Sequence, residues 1–180
     1  MALWNFFKRL FGAGAPGEPA GRRGKPRLNA RGGMRVLVVD DSATVVALLA
    51  RMLRQNGYVV LEAADAEQGT AIAKAEQPDL IFLDIVLPGM SGFSALRLLR
   101  RLPETRGIPI IMMSGNEQAT EQFYAQRIGA DDFMKKPFSR AEVFSRIERL
   151  LDVSLLPRRH VRVAATATEE PSAQESGSLP

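Results

Sequence analysis

Five polar residues of this 180-residue chain follow or adjoin short apolar runs and could form one reactive site. They are Asp40, Asp41, Asp84, Ser114 and Lys136. A carboxylate directly after a buried run is costly unless its charge has a partner. Carboxylates that converge repel each other, and a hard divalent cation such as Mg²⁺, with oxygen ligands and retained waters, relieves that repulsion. These residue types therefore indicate a carboxylate site for Mg²⁺.

The predicted reaction at this site is phosphoryl transfer to a carboxylate. Asp84 would attack a phosphoryl donor as the nucleophile and form an acyl phosphate. The predicted ligands of Mg²⁺ are Asp41, Asp84, Asp40 (directly or through water) and the backbone carbonyl of Val86. The cation would neutralise the phosphoryl oxygens during transfer.

Ser114 and Lys136 carry the groups that would complete such a site. The Ser114 hydroxyl would hydrogen-bond one phosphoryl oxygen, and the Lys136 ammonium would pair with another. A cis bond between Lys136 and Pro137 would aim the ammonium inward, and the sequence leaves that isomer open. The alternative interpretation is that these polar residues are ordinary strand-end and helix-capping residues that fall at separate strand ends by coincidence.

Composition excludes most other catalytic sites. The chain has no cysteine and a single histidine, His160, which excludes a disulfide framework, a thiolate metal site, a histidine metal cluster and a Ser-His-Asp triad. The net charge of +4 is uneven along the chain. Residues 1–33 hold seven basic residues against one acidic residue, whereas residues 34–152 hold 14 against 16. The positive excess therefore belongs to an N-terminal arm, and the rest is slightly acidic.

Short continuous apolar runs alternate five times with helically spaced apolar residues after residue 33. Continuous apolar strands are typical of a parallel sheet covered on both faces. The predicted fold is therefore α/β, a doubly wound five-stranded parallel sheet. In such a sheet the functional site lies at the carboxyl ends of the strands, where the polar residues fall. The predicted strands span residues 36–39, 58–61, 80–83, 108–113 and 132–134, and the fourth helix spans 117–128.

The chain divides into four parts. Residues 1–11 form an amphipathic N-terminal segment, 12–33 a flexible linker rich in Gly, Pro and Arg, 34–152 the domain, and 153–180 a disordered tail. Eleven helical residues span only about 16 Å, too short for a bilayer core of about 30 Å. The N-terminal segment could lie in a membrane interface, dock on a partner or simply fray. Its apolar face comprises Leu3, Phe6, Phe7, Leu10 and Phe11.

The site residues and their spacing resemble the receiver domain of two-component response regulators. The resemblance covers residues 34–152 and rests on the acidic pair, the later Asp, the Ser and the Lys-Pro at separations of 44, 30 and 22 residues. Supporting strings are VVDDS at 38–42, PGMSG at 88–92, GADDF at 129–133 and KPF at 136–138. The resemblance implies a (βα)₅ flavodoxin-like receiver fold. It implies a regulator, not an enzyme, beyond Mg²⁺-dependent phosphorylation and dephosphorylation of its own aspartate.

The resemblance also implies partners and a switch. A histidine kinase or phosphotransfer protein would donate the phosphoryl group to Asp84, Ser114 would move toward it, and Phe133 would turn inward. This would alter the face formed by helix four, strand five and helix five, which would bind a downstream protein. A plain core role for Phe133 remains open. The short chain suggests a stand-alone cytoplasmic regulator of the chemotaxis or type IV pilus motility kind, with peripheral docking at the inner membrane through residues 1–11 left open.

Three other functions compete with this prediction. The first is a receiver-fold scaffold that works without phosphorylation and is recruited through its N-terminal segment. The second is a haloacid dehalogenase-type hydrolase, which requires a second Asp where this chain has Val86. The third is a transcription factor, for which the chain has no helix-turn-helix segment, so no specific DNA binding is expected.

Overall fold

Five parallel strands form a single sheet with helices on both faces. The structure is a computed structural model that describes residues 30–115 and 119–159, without the side chains of residues 119 and 120. The strand order is β2-β1-β3-β4-β5, which confirms the predicted doubly wound fold. The elements are β1 (Arg35–Val39), α1 (Ala43–Arg54), β2 (Val59–Ala63), α2 (Ala66–Glu76), β3 (Leu80–Asp84), α3 (Gly92–Arg101), β4 (Ile110–Ser114), α4 (Ala119–Arg127), β5 (Asp132–Lys135) and α5 (Arg140–Leu150).

The core consists of two apolar clusters, one on each face of the sheet. Alternate strand residues point to opposite faces, so Val36 and Val38 join one cluster while Leu37 and Val39 join the other. Helices α1 and α5 cover the first face, and α2, α3 and α4 cover the second. Every residue of β3 and β4 is buried, which explains their uninterrupted apolar sequence.

Short polar side chains start four of the helices. Ser42, Asp65, Ser91 and Ser139 each accept a hydrogen bond from a backbone N–H three residues later. These N-caps satisfy donors that the first helical turn leaves without partners. Since Ser42 directly follows Asp41, the first cap also fixes where the chain turns at the acidic pair.

The ends of some elements differ from the prediction. Strand β4 begins at Ile110 and not at residue 108, because the N–H of Ile108 donates to the carbonyl of Thr105 in a turn and Pro109 has no N–H to give to a neighbouring strand. Residues 116–118, which include the predicted start of the fourth helix, lie outside the described residues. The helix is described from Ala119.

The packed part of the chain is longer than the predicted range 34–152. Ala30 is buried in the core, and the N–H of Arg31 donates to the carbonyl of Leu155. At the amino-terminal edge of the sheet, the buried Asp131 accepts bonds from Arg100 at 2.7 Å and Arg159 at 3.0 Å. These ion pairs and backbone bonds hold residues 151–159 against the domain. The N-terminal segment 1–11 and the tail beyond residue 159 lie outside the described residues.

None of the helices described in residues 30–115 and 119–159 combines the length and hydropathy needed to span a membrane.

Gly92 packs the start of α3 directly against the end of β3. A Cβ at this position would lie 1.9 Å from the backbone carbonyl oxygen of Asp84. Contacts below about 3 Å do not occur for real Cβ atoms, so either the helix or the strand end would have to shift. Gly92 therefore sets how closely α3 approaches the residue that the sequence predicts to be the phospho-acceptor.

We expect Gly92→Ala to lower the free energy of unfolding by about 1–3 kcal/mol, because overpacking against backbone cannot be relieved by a rotamer change. Urea denaturation measures this. The control is Gly107→Ala, since a Cβ there meets no atom of the described residues within 4 Å. A loss no larger than that of the control would show that the helix start yields freely.

Candidate functional site

The carboxyl ends of β1, β3, β4 and β5 bring four of the predicted site residues to one edge of the sheet. Asp40 follows β1, whereas Asp84 and Ser114 are the last residues of β3 and β4, and all three are buried. Lys136 follows β5, and its backbone N–H donates to the carbonyl of Ser114 at 2.7 Å. Because all the strands are parallel, residues far apart in sequence meet here.

The three aspartates form a cluster of oxygen atoms. One carboxylate oxygen from each of Asp40, Asp41 and Asp84 lies within 4.8 Å of the other two. Asp41 is exposed while the other two are buried, so the cluster opens to solvent on one side. An open cavity of about 320 Å³ adjoins Asp40 and Asp41 on the side of α1 and β2.

Lys136 links the two buried carboxylates. Its Nζ lies 2.5 Å from Oδ2 of Asp40 and 2.9 Å from Oδ1 of Asp84. Burial alone would lower the pKa of the Lys136 ammonium, but the two carboxylates outweigh it and raise this pKa. Burial raises the pKa of Asp84, and Lys136 partly counteracts this. The lysine is therefore held in its charged form between two acids.

The arrangement fits a small hard cation. Oδ2 of Asp40 is fully buried, and the partner that the described residues give it is the Lys136 ammonium at 2.5 Å. Its other oxygen, Oδ1, accepts the N–H of Ser42 at 3.0 Å. Oδ2 therefore keeps a lone pair for a cation, and oxygen ligands with one open side suit Mg²⁺ and its waters. Asp40, Asp41 and Asp84 would hold it.

Val86 remains a predicted ligand through its carbonyl. It lies two residues beyond the end of β3, and its side chain is largely exposed.

The Ser114 hydroxyl makes a contact that the sequence did not predict. Its Oγ donates to Oε2 of Glu121, on the first turn of α4, at 2.5 Å. Glu121 is only partly exposed. No spacing pattern singles out this glutamate, because hydrophobic periodicity does not report which polar side chain of a helix reaches the end of a neighbouring strand.

Phe133 is buried on β5 and belongs to the core cluster that also contains Ala125 of α4. The neighbouring Asp132 is bound by Arg146 at 3.0 Å. Phe133 thus lies between the sheet and α4, as expected of a core residue and also of a residue that senses a movement of α4. Its role as a switch stays a prediction.

The peptide bond between Lys136 and Pro137 is cis, which answers the question that the sequence left open.

Comparison with known families decides the class of protein. The family model described as the response regulator receiver domain matches residues 36–148. The chain belongs to the response regulator receiver family. The fold, the acidic cluster at the carboxyl ends of the strands and the lysine before a proline all agree with this membership.

Relatives of this receiver domain include short proteins of similar extent. Protein PilH of Pseudomonas aeruginosa is 38% identical over 117 residues, which cover 65% of this chain and 97% of PilH. The solved structure of chemotaxis protein CheY4 of Vibrio cholerae matches with a TM-score of 0.63 and 28% identity, over 66% of this chain and 99% of CheY4. The chain spans only about half the length of the curated transcriptional regulators that it also matches.

One solved relative holds a metal in its site. The receiver domain of the sensor histidine kinase PA1611 of Pseudomonas aeruginosa PAO1 was solved with a magnesium ion coordinated in the active-site cleft. It is 33% identical, with a TM-score of 0.60, over 65% of this chain and 95% of that domain. Receiver domains bind Mg²⁺ at an acidic pocket, and this chain has such a pocket in Asp40, Asp41 and Asp84.

We expect Asp41→Asn to weaken Mg²⁺ binding about tenfold or more, because it removes one negative charge within a few Å of the cation. Calorimetric titration with MgCl₂ measures this. Asp41 is exposed, so the fold should be retained. The control is Glu104→Gln, which removes an exposed charge elsewhere. Unchanged affinity in Asp41→Asn would exclude Asp41 as a ligand.

Proposed function

We propose that this chain is a phosphorylation-controlled protein-interaction switch that accepts a phosphoryl group on Asp84 from a histidine kinase or phosphotransfer protein. The observation that carries the proposal is the contact of Lys136 with both Asp40 and Asp84, because it joins a buried carboxylate nucleophile, a cation ligand and a fixed positive charge. The three residues belong to different strand ends, and the fold alone does not require their contact.

In the proposed reaction, an Asp84 oxygen attacks the phosphorus of a phosphohistidine. The new P–O bond forms as the P–N bond breaks, and the imidazole nitrogen leaves with the electron pair. Bound Mg²⁺ supplies positive charge to the phosphoryl oxygens. Lys136 turns its ammonium from the carboxylates toward a phosphoryl oxygen, and Ser114 donates its hydroxyl to another. Self-phosphorylation and self-dephosphorylation are the only reactions we propose for the chain.

Asp84→Asn should abolish the covalent adduct, since an amide oxygen is a poor nucleophile for phosphorus. Incubation with acetyl phosphate and Mg²⁺ followed by mass measurement of the intact protein should show one phosphoryl group on the unaltered chain. The matched control is Asp65→Asn, because Asn caps a helix as well as Asp does. An adduct that survives in Asp84→Asn, or no adduct on the unaltered chain, would favour the phosphorylation-independent scaffold.

A downstream protein is proposed to bind the face formed by α4, β5 and α5. This face contains a groove of about 680 Å³ that Arg127, Arg146, Arg149 and Arg159 line. Among the described residues, Arg127 and Arg149 have no acidic side chain within salt-bridge distance, whereas Arg146 and Arg159 are paired with Asp132 and Asp131. The groove therefore suits an acidic segment of a protein partner.

The pathway that we propose is chemotaxis or type IV pilus motility. The support is that the matched region of this chain covers nearly all of PilH and of CheY4. We propose a cytoplasmic location, with residues 1–11 docking either on a partner or at the inner membrane.

If residues 1–11 bind a membrane, the whole chain should sediment with anionic liposomes and a chain that starts at Ala30 should not. The shorter chain lacks the apolar stripe and six of the seven basic residues of the arm. The cut belongs at Ala30 because Ala30 is buried and Arg31 is bonded to Leu155. Equal partition of both chains would exclude membrane docking and leave the partner alternative.

A further inference from the structure

The hydroxyl of Ser114 is already committed to another acceptor when no phosphoryl group is present. Ser114 is completely buried, and its Oγ lies 2.5 Å from Oε2 of Glu121. A carboxylate can only accept, so the serine is the donor in this bond. Hydrogen bonds from a hydroxyl to a carboxylate of this length are among the stronger ones in proteins.

We propose that Glu121 is a positioning residue that holds the Ser114 hydroxyl in the unphosphorylated state and must release it before Asp84 can keep a phosphoryl group. This inference rests on the proposed phosphorylation of Asp84. A serine hydroxyl has one hydrogen, so it cannot donate fully to Glu121 and to a phosphoryl oxygen at once. The two bonds therefore exclude each other, whatever further bonds the serine oxygen accepts.

Charge acts in the same direction as the competition for the hydrogen. The carboxylate of Glu121 and the phosphoryl oxygens are both negative, so a phosphoryl group that attracts Ser114 also repels Glu121. The Lys136 backbone N–H is bonded to the Ser114 carbonyl, which keeps the serine backbone in the sheet while its side chain changes partner. The change is therefore a rotation of one side chain and not a movement of β4.

The release of Glu121 changes the protein surface because Glu121 belongs to α4, which lies at that surface. Of the α4 side chains that the structure describes, only that of Ala125 is buried. Those of Phe123 and Tyr124 are exposed. A helix with so little buried apolar surface depends on its polar contacts for its position. Losing the bond to Ser114 frees its first turn, next to the groove proposed to bind a partner.

The test is a double-mutant cycle on the full chain, with beryllofluoride as a non-covalent mimic of the phosphoryl group in the presence of Mg²⁺. Glu121→Ala should raise the affinity for beryllofluoride about tenfold in the presence of Ser114, because a charge-assisted hydrogen bond no longer has to be broken. In a Ser114→Ala background the same substitution should change the affinity less than about twofold, since it then removes only the solvent-screened charge of Glu121 and no hydrogen bond.

The matched control is Gln122→Ala, an exposed neighbour on the same turn that introduces the same helix-forming residue. It should leave the affinity unchanged. Glu121→Gln, which keeps the shape and a weaker acceptor, should lie between Glu121→Ala and the unaltered chain and guards against a folding defect in the alanine variant.

The outcomes separate this inference from the proposed function. No gain of affinity in Glu121→Ala and Glu121→Gln would overturn the role of Glu121, and so would an equal gain in the Ser114→Ala background, which would indicate charge repulsion alone. In both cases, binding of beryllofluoride by the unaltered chain would leave the phospho-acceptor function standing. Failure of the unaltered chain to bind beryllofluoride would overturn both.

Discussion

Two buried carboxylates that share one ammonium are the interaction on which the rest of the site depends. The side chains of Asp40 and Asp84 are 0% and 5% exposed, and in the absence of a counter-ion their repulsion and desolvation would oppose folding. Lys136 provides that counter-ion, and it comes from the far end of the sheet, after β5. The chain therefore holds an acidic centre ready for a cation while remaining folded. Because the ammonium touches both acids, a cation or a phosphoryl group that enters the site must change how Lys136 is shared.

The fold and most of the site could be predicted from the sequence because both follow from local patterns. Uninterrupted apolar strands such as 80–83 indicate burial on both faces, and burial on both faces is typical of a parallel sheet. Parallel strands then place Asp40, Asp84 and Ser114 at one edge however far apart they are in sequence. The order of these residues in the chain is enough to predict that they meet, since a parallel sheet brings successive strand ends to the same edge.

The features that the sequence did not predict depend on contacts without periodicity. Arg159 lies in a polar stretch with no helical or strand pattern, yet it binds the buried Asp131, so the domain continues seven residues beyond the predicted end. An ion pair between residues 28 positions apart produces no pattern in the local sequence from which it could be predicted. Glu121 was missed for the same reason. Its contact with Ser114 depends on how α4 lies against the end of β4, whereas hydrophobic spacing reports only which helix face is buried.

Helix α4 connects these observations, because its described side chains contribute little to the apolar core. The helices α1 and α5 each bury four residues against the sheet, among them large apolar side chains, whereas the described side chains of α4 bury only Ala125. Its remaining anchors include the bond to Ser114 and the edge-to-face contact of Tyr124 with Phe93 of α3 at 5.0 Å. A bond worth about 1.5–3 kcal/mol is minor for a well-buried helix but is a large share of what holds this one. A rotation of the Ser114 side chain can therefore loosen the first turn of α4 and the surface beside it, because few apolar contacts otherwise hold that helix.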